Sequence, residues 1–410
     1  LSVPSAELIA YDALLRRPWR TSQEVLVRRC GLWVRLTDAA GRVGWGDVVQ
    51  CAGFGSGASL PQLAASLRPV LARWPLWAAA TMPATGTAKL TLTAVEAALA
   101  QAVGAAAQPD APQSQAPGTA AQPATALAGA SGLAPGGRDG SLPAEAYAGL
   151  ELALLDLLAQ QRGCRLADLL CDDPAGPAPV VPVHALVDSA VAAQAAVRAG
   201  ARTLKVKLGS RSLDDDLGHV AAIFSAVPPD VALRLDANGA WPLPVARQAL
   251  NLLAAFSPEF IEQPVAAADL AGMASLRRQR AVPVAADEAV RDAAGLRAVL
   301  AAEAADVAVL KPAVCGGLLS CRRLAAQAAA AGLQCVITHA VDSAVGRGAA
   351  AQLAAALAGA QPRAAGLSSP FAPADEPTAT TAGDRPPATY LPHIEAYVYR
   401  LPPAASVSPA

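Results

Sequence analysis

A barrel of repeated βα units beneath a separate α+β layer, within the α/β class, is the fold this sequence predicts. Three observations predict it. From Val180 onward, short apolar strands recur about every 25 to 30 residues, each followed by an alanine-rich helical stretch. Near both ends the chain alternates apolar and polar residues, as half-buried antiparallel strands do. Ionisable residues fall at the ends of the successive apolar strands, where such a barrel carries its chemistry.

The elements follow in order. EVLVRRCGLWVRLTD (24–38) alternates, AAGR supplies a turn, and VGWGDVV (43–49) returns. CAGFGSGAS (51–59) reads as a glycine-rich loop, and 59–105 as helical. Residues 106–143 are rich in Ala, Pro, Gln, Gly and Ser and lack periodicity, so a disordered low-complexity insertion is expected. EAYAGLELALLDLLAQQRG (145–163) predicts a helix that stops at Gly163, and CRLADLL (164–170) continues the helical character. The strands then run VVPVHALV (180–187), TLKVKL (203–208), ALRLD (232–236), EFIEQ (259–263), PVAAD (283–287), VAVLK (307–311) and QCVITH (334–339), with a weaker eighth near AAGLSS (364–369). Seven or eight such units in series favour a closed barrel over an open sheet. The tail TYLPHIEAYVYRL (389–401) alternates again and is expected to return to the N-terminal sheet. The organisation is then an α+β capping domain over 1–178, a barrel over 179–385, and a segment 386–410 that rejoins the cap.

Bulk properties narrow the function. The chain has 410 residues, is 53% hydrophobic and carries a formal net charge of −1. That balance argues against a nucleic-acid footprint or a polybasic membrane tether. No apolar run reaches the length of a membrane span. Seven cysteines, with no CxxC pair, fit neither a disulfide framework nor a zinc site. The chain begins at Leu1, so a processed form or one segment of a larger fused polypeptide is expected. Of 32 basic residues only four are lysines: Lys89, Lys205, Lys207 and Lys311. A lysine kept against an arginine background points to a role arginine cannot fill.

Lys207, Asp236, Glu262, Asp287, Lys311 and His339 sit at or near successive strand ends, separated by 29, 26, 25, 24 and 28 residues. One acid at a strand end is often a helix cap. Three acids and two lysines in register are not explained as caps. Asp236, Glu262 and Asp287, held close, would repel each other without a cation, and hard oxygen ligands suit Mg²⁺, with Mn²⁺ an alternative. Lys207 and Lys311 flank them. Lysine is a poor base at its free pKa of about 10.4. A nearby cation, Lys205 or the metal, disfavours its charged form. That is what removing a proton α to a carboxylate requires, and arginine does not deprotonate in proteins. A strand-end histidine such as His339 is more often structural than catalytic.

TLKVKLG, RLDANGAW, FIEQP, AADEA and VLKPAVCGG, in this order, resemble the strands of the enolase superfamily, in its muconate-lactonising branch. Within the branch the chain is most similar to the o-succinylbenzoate synthase family, on VRRCGLWVRLTDAAGRVGWGDV, GLELALLDLLA, KVKLGSRSLDDDL and LKPAVCGGLLSCRRLAAQAAAAGLQCVI. The resemblance implies a modified (β/α)7β TIM barrel with an α+β cap. It implies Lys207 as general base in a syn dehydration of a small-molecule carboxylate, Lys311 as the charged group opposite, and Lys205 as the group that tunes Lys207. Asp236, Glu262 and Asp287 would bind the metal, with Asn238, Glu288 and Arg234 behind them. Phe54, Gly55, Thr338, His339 and Ser343 are expected to contact substrate. THAVDSAVG departs from the serine-rich segment with a glutamate that the branch carries after strand seven, which sets His339 and Asp342 apart. The alternatives are an amino-acid or dipeptide epimerase, a muconate-type cycloisomerase, and an idle domain of a fused polypeptide. A chloroplast stroma is expected for an algal or plant source, and the cytoplasm otherwise.

Overall fold

The computed structural model describes residues 3–20, 25–51, 55–75, 78, 92–93, 95–97, 99–100, 142–359, 363–368, 394–395 and 398–402. The insertion expected at 106–143, apart from its last two residues, and much of the helix expected up to 105 lie outside the described residues.

Three antiparallel strands open the chain: β1 (Ser5–Arg20), β2 (Val25–Thr37) and β3 (Val43–Val49). They pair in the order β1-β2-β3. The sequence does not mark β1 as a strand, because SAELIAYDALLRRPWR does not alternate cleanly. The β2–β3 turn forms because Asp38 Oδ1 accepts from the Ala40 and Arg42 amides and Gly41 takes a positive φ. Helix Ala144–Arg162 lies across this sheet. Glycine permits the close approach: a Cβ on Gly46 would stand 1.8 Å from the Gly149 carbonyl oxygen. The helix ends, as its sequence predicts, at Gly163 in the left-handed region.

The strand expected over 180–187 divides between two sheets. Its first part, β4 (Val180–Pro182), pairs with the tail, and its second, β5 (Ala185–Val187), enters the barrel. Six more strands follow: β6 (Thr203–Lys207), β7 (Ala232–Asp236), β8 (Phe260–Glu262), β9 (Val284–Ala286), β10 (Val307–Leu310) and β11 (Gln334–Ile337). They form one parallel sheet in sequential order from β5 to β11. Helices on the outside and side chains on the inside bury both faces, which is why these strands read as near-continuous apolar runs. The weak eighth strand consists of two bridges, Val183 to Ala365 and Thr338 to Gly366. Residues 365–366 therefore hydrogen-bond to both edges of the sheet and join them. The result is a mixed α/β fold, a curled parallel sheet beside antiparallel ones.

The tail corrects one expectation. Strands β12 (Ile394–Glu395) and β13 (Val398–Arg400) pair with β4, not with β1–β3. Alternation specifies that a strand has a buried face but not which edge it joins. The short β4 offers an edge just ahead of the barrel.

Candidate active site

Strand parity builds the site. Within the barrel, Phe260, Ala285, Val307, Val309 and Val336 form a buried cluster separate from the main core, while their chain neighbours pack outward. Side chains alternate with period two along a strand. Two residues beyond Phe260, Ala285 and Val309 come Glu262, Asp287 and Lys311. On the adjoining strands the same face carries Lys205 then Lys207, and Arg234 then Asp236, in cross-strand register Lys205↔Arg234 and Lys207↔Asp236. Lys207, Asp236, Glu262, Asp287 and Lys311 thus sit one layer above Lys205, Arg234 and the apolar cluster, at the C-terminal ends of the strands.

Lys205 Nζ lies 2.7 Å from both carboxylate oxygens of Glu262 and 2.8 Å from Asp236 Oδ2. Lys207 Nζ donates to the same Asp236 Oδ2 at 2.8 Å and to Asn238 Oδ1 at 2.7 Å. Asn238, held at a positive φ, donates through its amide side chain to Glu288 Oε1. Lys311 Nζ donates to Asp287 Oδ2 at 2.6 Å. Lys207 ends β6 and Lys311 directly follows β10, four strands apart in the curled sheet, so they face each other across the acids.

The electrostatics follow from burial and crowding. Burial works against the charge of Lys205, but Asp236, Glu262 and Asp287 outweigh it and hold its ammonium above the usual range. Lys311 is raised in the same way, with Asp287 and Glu288 overcoming burial. Burial opposes the charge of Asp236 too, yet Lys205 and Lys207 pull its carboxyl well down. Glu262 goes the other way: burial and then Asp236 push it up to about 8. Four acids share this centre with three lysines.

Whether a metal fits is decided by the donors. Among the described residues no three His, Cys, Asp or Glu side chains form a ready ligand cluster, since each acid is paired with a lysine or Asn238. The donor chemistry still suits a hard divalent cation. All candidate ligands are carboxylates, Glu262 is crowded by negative neighbours, and Glu288 Oε2 is buried with no hydrogen-bond partner among the described residues. Asp236, Glu262 and Asp287 would hold the ion, with Asn238 and Glu288 beside it.

Several expected site residues are placed elsewhere. Arg234 does not touch the lysines. Its guanidinium donates to Glu259 and to the Ala364 carbonyl, meets His184 Nδ1 at 3.1 Å and stacks on Phe260, closing the floor of the barrel. The side chains of Thr338, His339 and Ser343 are committed to structure. Thr338 Oγ1 donates to the Gly366 carbonyl. His339 Nδ1 accepts from the Asp342 amide, which leaves Nε2 to donate to the Ser368 carbonyl. Burial and then Arg347 push the His339 pKa down to about 3, so the ring is neutral. Ser343 caps helix Ala344–Leu357, and its hydroxyl also accepts from Trp33 Nε1. Parity could have shown this for His339, because continuing the alternation past Val336 selects Thr338 for the inner face. Phe54 lies outside the described residues. Gly55 accepts from Arg291 Nη1 at 3.4 Å, and a Cβ there would meet Glu145 and Cys51.

Sequence reasoning missed the groups that fasten the cap to this rim. Glu151, from the cap helix, accepts from the Leu318 amide at 2.5 Å and the Leu319 amide at 3.4 Å, just beyond the Lys311 loop. Asp47 of β3 accepts from the Ser343 amide and from Tyr11 Oη. Asp342, beside it, is pushed up to about 7 by burial and Asp47. An acid inside a helix or strand carries no sequence mark that distinguishes an inward contact from a solvated one.

Comparison with known proteins agrees with this geometry. Residues 188–383 match the family model described as Enolase C-terminal domain-like, and this barrel segment belongs to that family. The relatives it resembles are o-succinylbenzoate synthases. That of Thermobifida fusca (strain YX) is 41% identical over 189 residues, covering 44% of this chain and 58% of that protein. That of Mycobacterium tuberculosis (strain ATCC 25618 / H37Rv) is 44% identical over 184 residues, covering 43% and 54%. The chain spans a little over half the length of these curated relatives. Among solved structures, the L-Ala-D/L-Glu epimerase from Bacillus subtilis superposes with a TM-score of 0.68 at 25% identity, over 87% of each chain. A dipeptide epimerase from Enterococcus faecalis V583, complexed with Mg and dipeptide L-Leu-L-Tyr, gives 0.71 at 24% identity over 98% and 97%, a likeness of fold. No helix among the described residues is long and apolar enough to cross a membrane.

Proposed function

We propose that the protein is a magnesium-dependent o-succinylbenzoate synthase. It would dehydrate 2-succinyl-6-hydroxy-2,4-cyclohexadiene-1-carboxylate to 2-succinylbenzoate, on the way to menaquinone or phylloquinone. One observation carries the reading: two lysines on opposing strands face each other across a buried acidic centre. The sequence similarity of the barrel segment to proteins of that name supports the choice within the superfamily.

The chain's own residues divide the work. Lys207 takes the proton α to the substrate carboxylate and returns it to the departing hydroxyl on the same face. Lys311, held protonated by Asp287, meets the negative charge that develops on the carboxylate oxygens. Lys205 stays charged beneath them and orients Asp236 and Glu262. Asn238 fixes Lys207 through a second hydrogen bond, accepting from its ammonium beside Asp236. A bound Mg²⁺ supplies Lewis-acid stabilisation of the substrate carboxylate.

The same lysine pair suits 1,1-proton transfer, the chemistry of an epimerase. The superposition on dipeptide and Ala-Glu epimerases favours this as the second reading. In that reaction both lysines act in turn as acid and base, whereas dehydration needs only one. Purified protein with Mg²⁺, assayed on the cyclohexadiene carboxylate beside a dipeptide panel, decides between them. Dehydration without epimerisation supports the proposal, and epimerisation alone overturns it. Location follows the source under this reading: chloroplast stroma in an alga or plant, cytoplasm in a bacterium.

A further inference from the structure

Lys311 and Glu151 belong to different layers, yet one short run of backbone connects them. Lys311 is the N-cap of the short helix Pro312–Cys315. Its carbonyl accepts from the Val314 amide at 3.0 Å and the Cys315 amide at 2.8 Å, and the Pro312 carbonyl accepts from the Gly317 amide at 2.8 Å. Gly316 and Gly317 take positive φ, 77 and 108, and the chain then enters helix Leu318–Ala330. The turn from 311 to 317 is therefore closed on itself, and a shift at its exit is passed back to the lysine at its entry.

The exit has no cap of its own. Gly317 stands at the N-cap of helix Leu318–Ala330 and has no side chain to accept from the first amides. Glu151 supplies the acceptor from the cap helix Ala144–Arg162. Its Oε2 takes the Leu318 amide at 2.5 Å and the Leu319 amide at 3.4 Å, and the residue is 1% exposed. Glycine at 317 admits the carboxyl group, since a Cβ there would stand 2.1 Å from Oε2. Packing alone does not set this separation. A small cavity lined by Ala148, Leu152, Pro312, Ala313, Gly317 and Leu318 lies beside the contact, so the hydrogen bonds fix it. On its other side the turn is tied to the segment of Asp287. Cys315 Sγ donates to the Val290 carbonyl at 3.8 Å, and the Val290 amide donates to the Asp287 carbonyl at 2.9 Å. Backbone contacts thus frame both members of the Lys311–Asp287 pair, whose side chains meet at 2.6 Å.

We propose that Glu151 is a positioning residue for Lys311: through one buried side chain the cap helix fixes the turn that aims the Lys311 ammonium at Asp287 and the acidic centre. Among the described residues no hydrogen bond or ion pair joins Glu151 to a lysine or to Asp236, Glu262 or Asp287, so it acts through the turn. An acceptor oxygen is what the two amides need, so glutamine serves in its place and alanine does not. The inference rests on the reading that gives Lys311 its part in the reaction.

The test uses the Mg²⁺-loaded protein. A misaimed Lys311 loses an interaction made in the transition state, so Glu151→Ala should lower kcat on the order of tenfold to a hundredfold and leave KM within about threefold. Glu151→Gln should stay within about threefold of wild type in both. The second readout needs no turnover. Lys205, Lys207 and Lys311 are three of the chain's four lysines, so amine acylation followed by peptide mass spectrometry resolves each. In Glu151→Ala, Lys311 should be acylated at least about threefold faster, because Asp287 no longer shields its amine, while Lys205 and Lys207 stay within about twofold. Equal rises at all three lysines mean a loosened fold and overturn the proposal. So does an unchanged Lys311, an unchanged kcat, a rise in KM alone, or a glutamine variant as poor as alanine. Should Glu151→Ala not fold, Glu151→Asp, which draws the acceptor back by one methylene, decides by the same readouts. Failure of wild type to dehydrate the cyclohexadiene carboxylate would instead sink the functional reading, and the acylation rates would still test the positioning on their own.

Discussion

Lys205 and Lys207 share one oxygen. Asp236 Oδ2 lies 2.8 Å from each Nζ, although the two side chains differ in burial and in their second partners. Lys205 is bound beneath by Glu262, while Lys207, more exposed, reaches up to Asn238. The pair therefore divides into a buried anchor and an accessible group, which is the asymmetry a single general base requires.

Replacement of the accessible member tests that division. Lys207→Arg keeps the charge but cannot give up its proton. The expected outcome is a fall in kcat of about 10²–10⁴, typical for loss of a general base, with an unchanged melting temperature. Lys205→Met should behave differently. It leaves Asp236 and Glu262 buried without their common cation, which costs about 3–5 kcal/mol when one partner of a buried pair is removed. Thermal or urea unfolding checks it.

Magnesium should stabilise the fold. With free Mg²⁺ at about 100 times its Kd, linkage adds about 2.7 kcal/mol, visible as a higher melting temperature than in chelator. Glu262→Gln should abolish most of the increment. An equal shift in that variant would locate the ion elsewhere.

Glu151 makes stability depend on pH. Burial, its largest influence, pushes its carboxyl up to about 8 despite the Leu318 and Leu319 amides. A carboxyl raised in the fold stabilises it fully below the unfolded pKa of about 4.5, progressively less above, and not at all once pH passes about 8. Glu151→Gln keeps an acceptor for the Leu318 amide and removes the titration. Between pH 5 and 8 the wild type should lose stability relative to this variant, by roughly 4 kcal/mol at most. Unfolding curves at pH 5, 6.5 and 8 measure it.

Two glycines should respond oppositely to alanine. Gly46→Ala drives a methyl into the Gly149 carbonyl and is expected to destabilise by about 3 kcal/mol or more. Gly218, inside helix Leu213–Ser225, has open space around it, and Gly218→Ala should stabilise by about 0.5–1 kcal/mol. Denaturant midpoints for both variants give the comparison.

His339 should leave the pH–rate profile alone. Both ring nitrogens are held by backbone groups and the ring is neutral. His339→Asn is expected to keep the shape of the profile between pH 5 and 8 and to lose about 1–2 kcal/mol of stability. In wild type, the depressed pKa makes the His339 contribution complete above about pH 6.5 and lost as pH falls toward 3.

The sequence by itself determined the barrel and the two lysines and three acids on its rim. Those residues recur with the spacing of a βα unit, and period-two alternation within a strand sends each to the same face, so position in the chain is enough to bring them together. It also carried the helix that ends at Gly163 and the Asp38–Gly41 turn, both set by local backbone chemistry. Only the tertiary structure decided what spans long separations. The tail pairs with Val180–Pro182, Arg234 closes the barrel floor, and Glu151 and Asp47 bind backbone groups of the rim from the cap. The physical reason is the partner. A strand edge, a buried carboxylate or a guanidinium takes whichever donor or acceptor the fold brings within 3 Å, and backbone amides such as those of Leu318 and Ser343 are the same in every sequence.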